Sequence, residues 1–354
     1  MSAIEPPINE AAIDPASRLD PAPRSSGVWR NAWKRLRQDR VGMVSLVVVG
    51  IFVVAGIGSA LGLVARHWAD EIAVPYAPPS FLAATLGDGL KIESTAGTVL
   101  SIDSVDPLEP KKAEIDQLTI KNHQVEKPLV NTLPFGADRR GRDVIEKAIK
   151  GAQISIFVGL AAAIVATFIG TVFGGLAGYF GGVANDILEW VYNVFTAIPG
   201  ILLIFCFAAV LGPGIGSVVT ILGLTGWTGV YRLVRAEYIK HRSREYVLAA
   251  TAIGAGNLSR MFVHILPNIS HIVLVQLSLY VVLFIKSEVI LSFLGLGVPV
   301  DSVSWGTMLN EAQSELILGK WWQLAAATSF MAVFVTAFSL LTDALRDALD
   351  PKLR

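Results

Sequence analysis

Charge and cysteine are both scarce in this chain of 354 residues. Only 16% of the residues are charged, and 29 Lys and Arg balance 29 Asp and Glu, so the formal net charge is zero. A chain without excess positive charge has no global electrostatic reason to bind nucleic acid. The single cysteine, Cys206, excludes a disulfide framework, and its position in an apolar run predicts a buried thiol. The polar, proline-rich first forty residues argue against a cleavable signal peptide.

The sequence motifs of catalysis and nucleotide binding are also missing. There is no G-x-x-x-x-G-K-[ST] phosphate-binding loop, no G-x-S-x-G nucleophile elbow and no His/Cys cluster with metal-ligand spacing. The five histidines are scattered along the chain. The sequence therefore predicts a non-catalytic chain that itself holds no cofactor and no metal.

Long apolar runs are the main feature that is present. Hydrophobic residues make up 53% of the chain and the mean hydropathy is +0.56, values typical of a polytopic membrane protein. A transmembrane helix needs about 20 apolar residues. The runs that meet this requirement are 41–65 and, approximately, 154–179, 187–211, 215–234, 269–296 and 321–341. We therefore predict an all-α membrane protein with six transmembrane helices and both termini on one side.

Lys and Arg in the short flanking segments indicate which side is cytoplasmic. They cluster before the first span, between the fourth and fifth spans, and at the C-terminal end. Six spans place these three segments on one face, which is therefore predicted to be cytoplasmic. The predicted organisation is a basic cytoplasmic tail (1–40), a first span (41–65), a periplasmic segment (66–150), a five-helix core (151–345) with a cytoplasmic loop (237–268), and a cytoplasmic C-terminus (346–354).

The segment between the first two spans is long and has poor helical periodicity. Short runs such as Thr98–Ser101 and Gln117–Ile120 are compatible with strands. The sequence thus predicts a small β-rich or irregular insertion. After the fifth span, Ser304 is a suitable N-cap for a short amphipathic helix on the same outer side.

Glycine and proline inside the predicted spans indicate where helices pack closely or bend. Gly170, Gly174 and Gly178 recur every four residues, which favours close approach of a neighbouring helix over a ligand site. Pro199 and Gly200, in the third span, predict a kink because proline removes a backbone hydrogen bond. Such a kink can act as a gate beside a substrate path, and a static packing kink is an equally good interpretation.

Two charged residues, Lys286 and Glu288, lie in the fifth predicted span. Charge at membrane depth is costly and usually lines water, a pathway or a partner. Both residues are near the outer end of the span, so snorkelling to the interface is an alternative that needs no role in transport. Two positions apart, they do not face each other on a helix. Pro199, Lys286 and Glu288 are the candidate pathway or gate residues.

The composition of the loop between the fourth and fifth spans predicts a short helix between two turns. Ser243 is placed to cap a helix that begins near Glu245, whose carboxylate suits the positive end of a helix. Ala249 and Ala250 keep this helix slim, and Gly254 permits a sharp turn after it. A slim helix held between two turns fits a groove in a cytoplasmic partner.

The second half of this loop is predicted to be another short helix. Asn257 can cap it and Pro267 closes it. A loop of about 30 residues with its own capping residues argues against a plain linker.

These residues resemble the "EAA" loop of bacterial ABC importer permeases. The likeness runs from Glu245-Tyr246-Val247, through Ala249, Ala250 and Gly254, to His264-Ile265-Leu266-Pro267-Asn268. Further stretches are similar to the C-type permease of the dipeptide/oligopeptide/nickel importer family: 135–143 (FGADRRGRD), 178–182 (GYFGG), 291–297 (LSFLGLG) and 345–351 (LRDALDP). The resemblance covers the basic tail, the first span and nearly everything after residue 133.

The resemblance implies a type I ABC importer permease fold with an extended periplasmic insertion between helices 1 and 2. It implies a homologous second permease, two cytoplasmic ATPase subunits that bind ATP and Mg²⁺, and an extracytoplasmic substrate-binding protein. The residues that it marks for coupling to the ATPases are Glu245, Ala249, Ala250, Gly254 and Pro267. The expected function is uptake of di- or oligopeptides across the bacterial inner membrane.

Other functions stay open at this point. The same machinery could import nickel chelates or other small solutes, because the binding protein sets most of the specificity in such systems. An ion-coupled secondary transporter with broken helices would explain Pro199, Lys286 and Glu288, although the sequence shows no inverted repeat. A membrane enzyme would need a polar catalytic cluster, which the sequence lacks.

Overall fold

The computed structural model describes residues 28–82, 129–299 and 301–349, with the backbone alone for 28–32. Helices account for most of them. In chain order they are α1 (Val28–Gln38), α2 (Arg40–Ala60), α3 (Val144–Phe180), α4 (Gly182–Ala197), α5 (Gly200–Leu211), α6 (Ile215–Arg242), α7 (Glu245–Ala252), α8 (Asn257–Phe293), α9 (Trp305–Ile317) and α10 (Trp322–Leu349). Pairing between strands in these ranges is limited to isolated bridges, such as Ala73 with Val130. The all-α prediction is confirmed.

Five helices, α2, α3, α6, α8 and α10, are long and apolar enough to cross a membrane. The pair α4–α5 passes the same test but is bent by 89° at its break. We call the end of the bundle that carries α7 the loop end. Near the start of α4, Asn185 accepts a 2.7 Å hydrogen bond from Arg235, close to the loop end of α6. Past α5, Gly214 donates to Gly297 beyond the opposite end of α8. The bent pair therefore traverses the bundle and completes six crossings.

The first and last described helices meet at the loop end. Leu36 of α1 is buried against Ala348 and Leu349 of α10, with Val275 of α8 packed beside them. Both ends of the described chain thus lie on the side of α7. This is the arrangement that an even number of crossings requires.

Helices α3 and α6 form the closest packed pair of the bundle, as the glycine spacing predicts. A Cβ atom on Gly174 would lie 2.7 Å from the carbonyl oxygen of Tyr231. A Cβ atom on Gly178 would lie 2.6 Å from that of Arg235. Gly170 makes a comparable approach to Trp227. These contacts assign the glycines to helix packing.

Several helix ends differ from their predicted positions. Helix α3 begins at Val144, because the Asp143 carboxylate accepts hydrogen bonds from the N–H groups of Ile145 and Glu146. Residues 144–150, predicted as periplasmic, therefore belong to a helix. Helix α2 ends at Ala60 and α10 continues to Leu349, beyond the run 321–341. Helices α3 and α10 are longer than predicted because hydropathy does not detect the polar residues at their ends.

The segment that joins α2 to α3 is described only near its two ends. Residues 66–82 and 129–143 pair through the bridges Ala73–Val130 and Pro79–Leu133. The strand candidates Thr98–Ser101 and Gln117–Ile120 lie outside the described residues, so the extended insertion stays a prediction.

Candidate functional site

Helix α7 is the short loop helix that the sequence predicts, but its cap differs. Arg244 is the N-cap residue and makes no side-chain capping bond. The Ser243 hydroxyl instead donates to the carbonyl of Lys240, at 3.3 Å, and so closes α6. Because Ser243 has ψ near zero, its backbone is not in the extended conformation that an N-cap takes. The prediction that Ser243 caps α7 is wrong. Glu245 does lie in the first turn.

The turn after α7 depends on Gly254. Its φ of +83° is in the left-handed region that favours glycine. The next N–H, that of Ala255, donates back to Ala250 at 2.9 Å. The sharp turn predicted at Gly254 is confirmed, while Gly256, with φ of −69°, precedes the next helix as its N-cap.

Pro267 does not close a separate short helix. Residues Arg260–Ile265 are π-helical, and the chain continues through Pro267 into the rest of α8. The N–H of Leu266 bonds to Met261, five residues earlier. In a regular α-helix the Pro267 ring would clash with the carbonyl of Val263, and the wider π turn relieves this clash. The loop is thus joined to the membrane helix without a break.

The inner side of the loop is packed against the bundle. Val247 and Ala250 are buried, Ala250 with only 4% of its surface exposed. The Tyr238 hydroxyl of α6 donates to the carbonyl of Met261 in the π-helical segment, at 3.2 Å. Ala250 therefore faces the bundle, away from the exposed side of the loop.

The outer side of the loop exposes apolar side chains. Ile253 is 84% exposed and Leu248 57%, and Leu258 is open as well. Glu245 and Ala249 are exposed beside them. We call these five residues the loop surface. Because contiguous exposed apolar side chains are typical of surfaces that bind a partner, the loop surface is the candidate site.

One arginine ties the loop to the end of α3. Arg260 donates to the Thr251 hydroxyl of α7, at 2.8 Å, and to the side-chain oxygen of Asn257. Its guanidinium lies over the ring of Tyr179, 5.8 Å from the centroid. The Tyr179 hydroxyl in turn donates to Asn257, at 3.2 Å. We call Arg260, Thr251, Asn257 and Tyr179 the arginine clamp.

At the opposite end of the bundle, charged residues form a buried cluster. Asp138 accepts from Arg142 and from Lys147, each at 2.7 Å. Lys147, 1% exposed, also donates to Glu311 of α9. Burial raises the pKa of Asp138, but Lys147 and the bonds from Lys147 and Arg142 outweigh it and lower the pKa to about 2. The cluster fastens the loop before α3 to α9.

Glu315 is the third carboxylate of this region. It is fully buried, one oxygen accepts from the backbone N–H of Arg139 at 3.1 Å, and the other has no partner among the described residues. Burial is the main cause that raises its pKa to about 7, and Asp138 and Glu311 add to the effect. Lys147 lowers the pKa of Glu315 only in part, because the charge of Lys147 is already balanced by Asp138 and Glu311.

The stretch FGADRRGRD, which contributes Asp138 and Arg142 to this cluster, is shaped by two glycines. Gly136 and Gly141 both have positive φ. A Cβ atom on Gly141 would lie 1.9 Å from the carbonyl oxygen of Ala73, and one on Gly136 would meet the Trp322 ring at 2.8 Å. The motif thus packs against both the segment after α2 and the first residue of α10.

Comparison with known proteins identifies the family. Residues 170–354, just over half of the chain, match the family described as binding-protein-dependent transport system inner membrane component. Residues 27–79 match the N-terminal TM domain of oligopeptide transport permease C. The chain belongs to this permease family. It is accordingly a multi-span protein of the bacterial inner membrane.

Relatives of this permease are named for the transport of dipeptides, oligopeptides or glutathione. The dipeptide transport system permease protein DppC of Bacillus subtilis is 40% identical over 62% of this chain and 69% of its own length. The oligopeptide transport system permease protein OppC of the same organism is 36% identical, over 69% and 80%. The glutathione transport system permease protein GsiD of Pectobacterium atrosepticum is 37% identical, over 62% and 73%.

The three pathway candidates occupy different environments in the permease. Pro199 stands at the break between α4 and α5 and is the N-cap of α5, so the predicted kink is a full interruption. Lys286 is exposed. Glu288 is completely buried and accepts from Ser155 at 2.8 Å and from Ser292 at 2.7 Å. Snorkelling is therefore the wrong interpretation for Glu288, which joins α8 to α3.

Two features of the permease escape sequence reasoning. Cys206 is exposed on α5 and not buried, because α5 leaves most of its surface uncovered. The sequence also does not predict the arginine clamp, because Arg260 resembles the other loop cations that set the topology. Its only signal is its spacing from Asn257 and Thr251, three and nine residues away.

Proposed function

We propose that this chain is the transmembrane permease subunit of an ATP-driven ABC importer that takes up di- and oligopeptides. Its family and the peptide transport names of its relatives support the proposal. Import would need a second permease, two ATPase subunits that bind ATP and Mg²⁺, and a substrate-binding protein. The chain itself is non-catalytic in this scheme.

The observation that carries the proposal is the loop surface, above all its apolar residues Leu248 and Ile253. A partner that covered this surface would touch Glu245 as well, and a cationic group on the ATPase would pair with its carboxylate. The inner side of the loop is packed and clamped, so a partner can push it only as a unit. Closure of the two ATPases on ATP would then shift the permease from an inward-facing to an outward-facing state.

The direction of the chain in the membrane follows from the same proposal. The loop end carries Arg242, Arg244 and Arg260, and the basic tail and the last helix end there too. Positive charge favours the cytoplasmic side, so both termini are cytoplasmic. The binding protein would then approach the opposite end, where a cavity of about 790 Å³ is lined by Arg139, Asn310 and other polar residues.

A second permease has an obvious surface to cover. Helix α4 has no buried residue among those described, and α5 has only Ala208. Trp190 and Val194 are exposed on α4, and Ile201 on α5. Apolar faces of this kind are expected where a bent helix pair packs against a homologous subunit around a pathway.

Affinity purification of the chain from its native membrane, followed by an ATPase assay, tests the proposal. We expect a second six-span permease and P-loop ATPases in the preparation, and ATP hydrolysis that the binding protein stimulates. The ligand carried by that binding protein then distinguishes peptides from nickel chelates and other small solutes. Uptake that requires an ion gradient and no ATPase would instead establish a secondary transporter.

A further inference from the structure

Lys286 lies in the middle of an apolar stripe on α8. The stripe consists of exposed side chains three or four residues apart, Leu279, Leu283, Ile290 and Phe293, with Lys286 between them. This spacing places all five on one side of a helix. Within the described part of the chain, the Lys286 ammonium has no hydrogen-bond or ion-pair partner.

An ammonium in such a stripe needs an anion or water. Glu288 cannot supply the charge, because it is buried on another face of α8 and occupied by Ser155 and Ser292. At 1.5 Å per residue, Lys286 lies about 10 Å before Phe293, the end of the helix, so it is inside the apolar layer. A lysine at this depth that faced lipid would be costly.

A cavity of about 320 Å³ adjoins this part of α8. It opens at the break between α4 and α5, and its lining includes Gly200, Thr225 and Ser287. Leu283 and Ile290, one turn before and one turn after Lys286, also line it. Lys286 is not itself a lining residue, and it lies on α8 at the edge of the cavity, one turn from each of these two residues.

The charge around the cavity favours an anion. No acidic residue is found among its described lining residues. The first residues of α5 belong to the lining, and the positive end of that helix adds to the field of Lys286. The volume is at the small end of ligand sites, enough for one residue of a longer solute.

We propose that this cavity is a substrate-contact site within the permease, and that Lys286 binds the carboxylate of the peptide in transit. The proposal rests on the proposed function, since it takes the solute to be a peptide. The C-terminal residue occupies the cavity, and the remainder extends toward the second permease. Lys286 is then a specificity-determining residue of the pathway.

Lys286→Met and Lys286→Arg test the proposal in the complete transporter reconstituted in liposomes. Met keeps the length of the side chain without the charge, and Arg keeps the charge. We expect Lys286→Met to lower the amount of free-acid peptide imported per ATP hydrolysed by about fivefold or more, and Lys286→Arg to stay within about twofold. Lys150→Met, near the start of α3, is the matched control and should leave this ratio unchanged.

A zero-length carbodiimide supplies a direct readout of the contact. The reagent joins a carboxylate to an amine with loss of water, so a labelled peptide in transit should become attached to Lys286 and be located by mass spectrometry. Lys286→Arg should give no adduct, because arginine has no such amine.

The outcomes separate this inference from the proposed function. An adduct at Lys286, with the Met variant impaired, supports the site. Normal import by Lys286→Met with no adduct in the unmodified protein means that Lys286 only snorkels, and the inference is wrong. A reconstituted complex that imports no peptide with ATP and binding protein present overturns the proposed function itself.

Discussion

The guanidinium of Arg260 rests on the ring of Tyr179, the penultimate residue of α3, while it also bonds to Thr251 in α7. One side chain thus joins the loop helix, the π-helical segment and a central membrane helix. Under the proposed function, we expect movement of α7 to be passed to α3 through this contact, because the guanidinium cannot keep all its bonds if the loop moves alone.

Arg260→Lys should weaken this transmission. Lysine keeps the charge but cannot bond to Thr251 and Asn257 in the fork geometry of arginine. We expect substrate imported per ATP hydrolysed to fall about threefold or more, while association with the ATPases persists. A double-mutant cycle with Thr251→Val gives the control, because the two changes should be non-additive if they break one interaction. Strict additivity would show that the clamp does not carry the motion.

Gly254→Pro should abolish coupled uptake while the protein still inserts into the membrane. Proline fixes φ near −65°, whereas Gly254 requires +83°. Gly256→Ala is the matched control, because its φ of −69° suits any residue. The measurement is peptide uptake against the amount of permease in the membrane. Normal uptake by the Gly254→Pro variant contradicts a role for the turn in coupling.

Ala250→Leu should also abolish coupled uptake, for a different structural reason. Ala250 is buried on the inner side of α7, so a leucine would push the loop helix away from the bundle. Ala249→Leu, on the exposed side, should leave the loop in place and impair only the fit of the ATPase. Association with the ATPases, measured by co-purification, separates the two variants: the first should retain binding without coupling, and the second should lose binding.

Glu315 should make the stability of the protein depend on pH. Its pKa is raised from 4.5 to about 7, so its neutral form belongs to the folded state. The stabilisation is fully present below pH 4.5 and is lost as the pH rises to about 7, by at most about 1.4 kcal/mol per unit. The melting temperature of the purified protein should therefore fall between pH 5 and pH 8, and Glu315→Gln should reduce this fall.

Glu311→Gln is the comparison for that measurement. Burial raises the pKa of Glu311, but Lys147 outweighs this and holds the pKa below its ordinary value. Glu311 is therefore ionised throughout this pH range, and its loss should destabilise the protein at both pH 5 and pH 8, with a smaller fall between them because Glu311 adds to the raised pKa of Glu315. Asp138, with a pKa of about 2, is also ionised throughout. An unchanged pH profile in the Glu315→Gln variant would assign the sensitivity to another group.

Gly174→Ala should destabilise the bundle by about 1–3 kcal/mol, the usual cost of overpacking. The added methyl group would meet the backbone of α6 at 2.7 Å, and neither helix can move without disturbing the core. Gly50→Ala in α2 is the matched control, because a Cβ atom there meets nothing within 4 Å. Thermal unfolding in detergent should show a loss for the first variant and little change for the second.

The sequence predicts the membrane-crossing segments and the packing of α3 on α6 well, for a physical reason. Apolar length and the spacing of Gly170, Gly174 and Gly178 are local properties that survive in the fold. Local patterns also predict the turn at Gly254. They fail at Ser243 and Pro267, where the role of the residue depends on the helix that precedes it. Ser243 ends α6 and does not begin α7. Pro267 lies inside α8, because a π-helical turn before it relieves the clash of its ring.

Contacts between distant segments are beyond such reasoning. The bond of Lys147 to Glu311 joins α3 to α9 across more than 160 residues of sequence, and that of Glu288 to Ser155 is comparable. Glu288 looks like an interfacial charge until the serines that enclose it are known. Its burial follows from how α3, α8 and α9 meet, which no single stretch encodes.

The contact of Leu36 with Leu349 also sets an order of events during synthesis. A ribosome makes α1 first and α10 last, so the surface that buries Leu36 does not exist until almost the whole chain has been translated. Helix α2 depends on α3 and α10 for its neighbours in the same way. Helices α1 and α2 therefore reach their final packing only after α10 has been made.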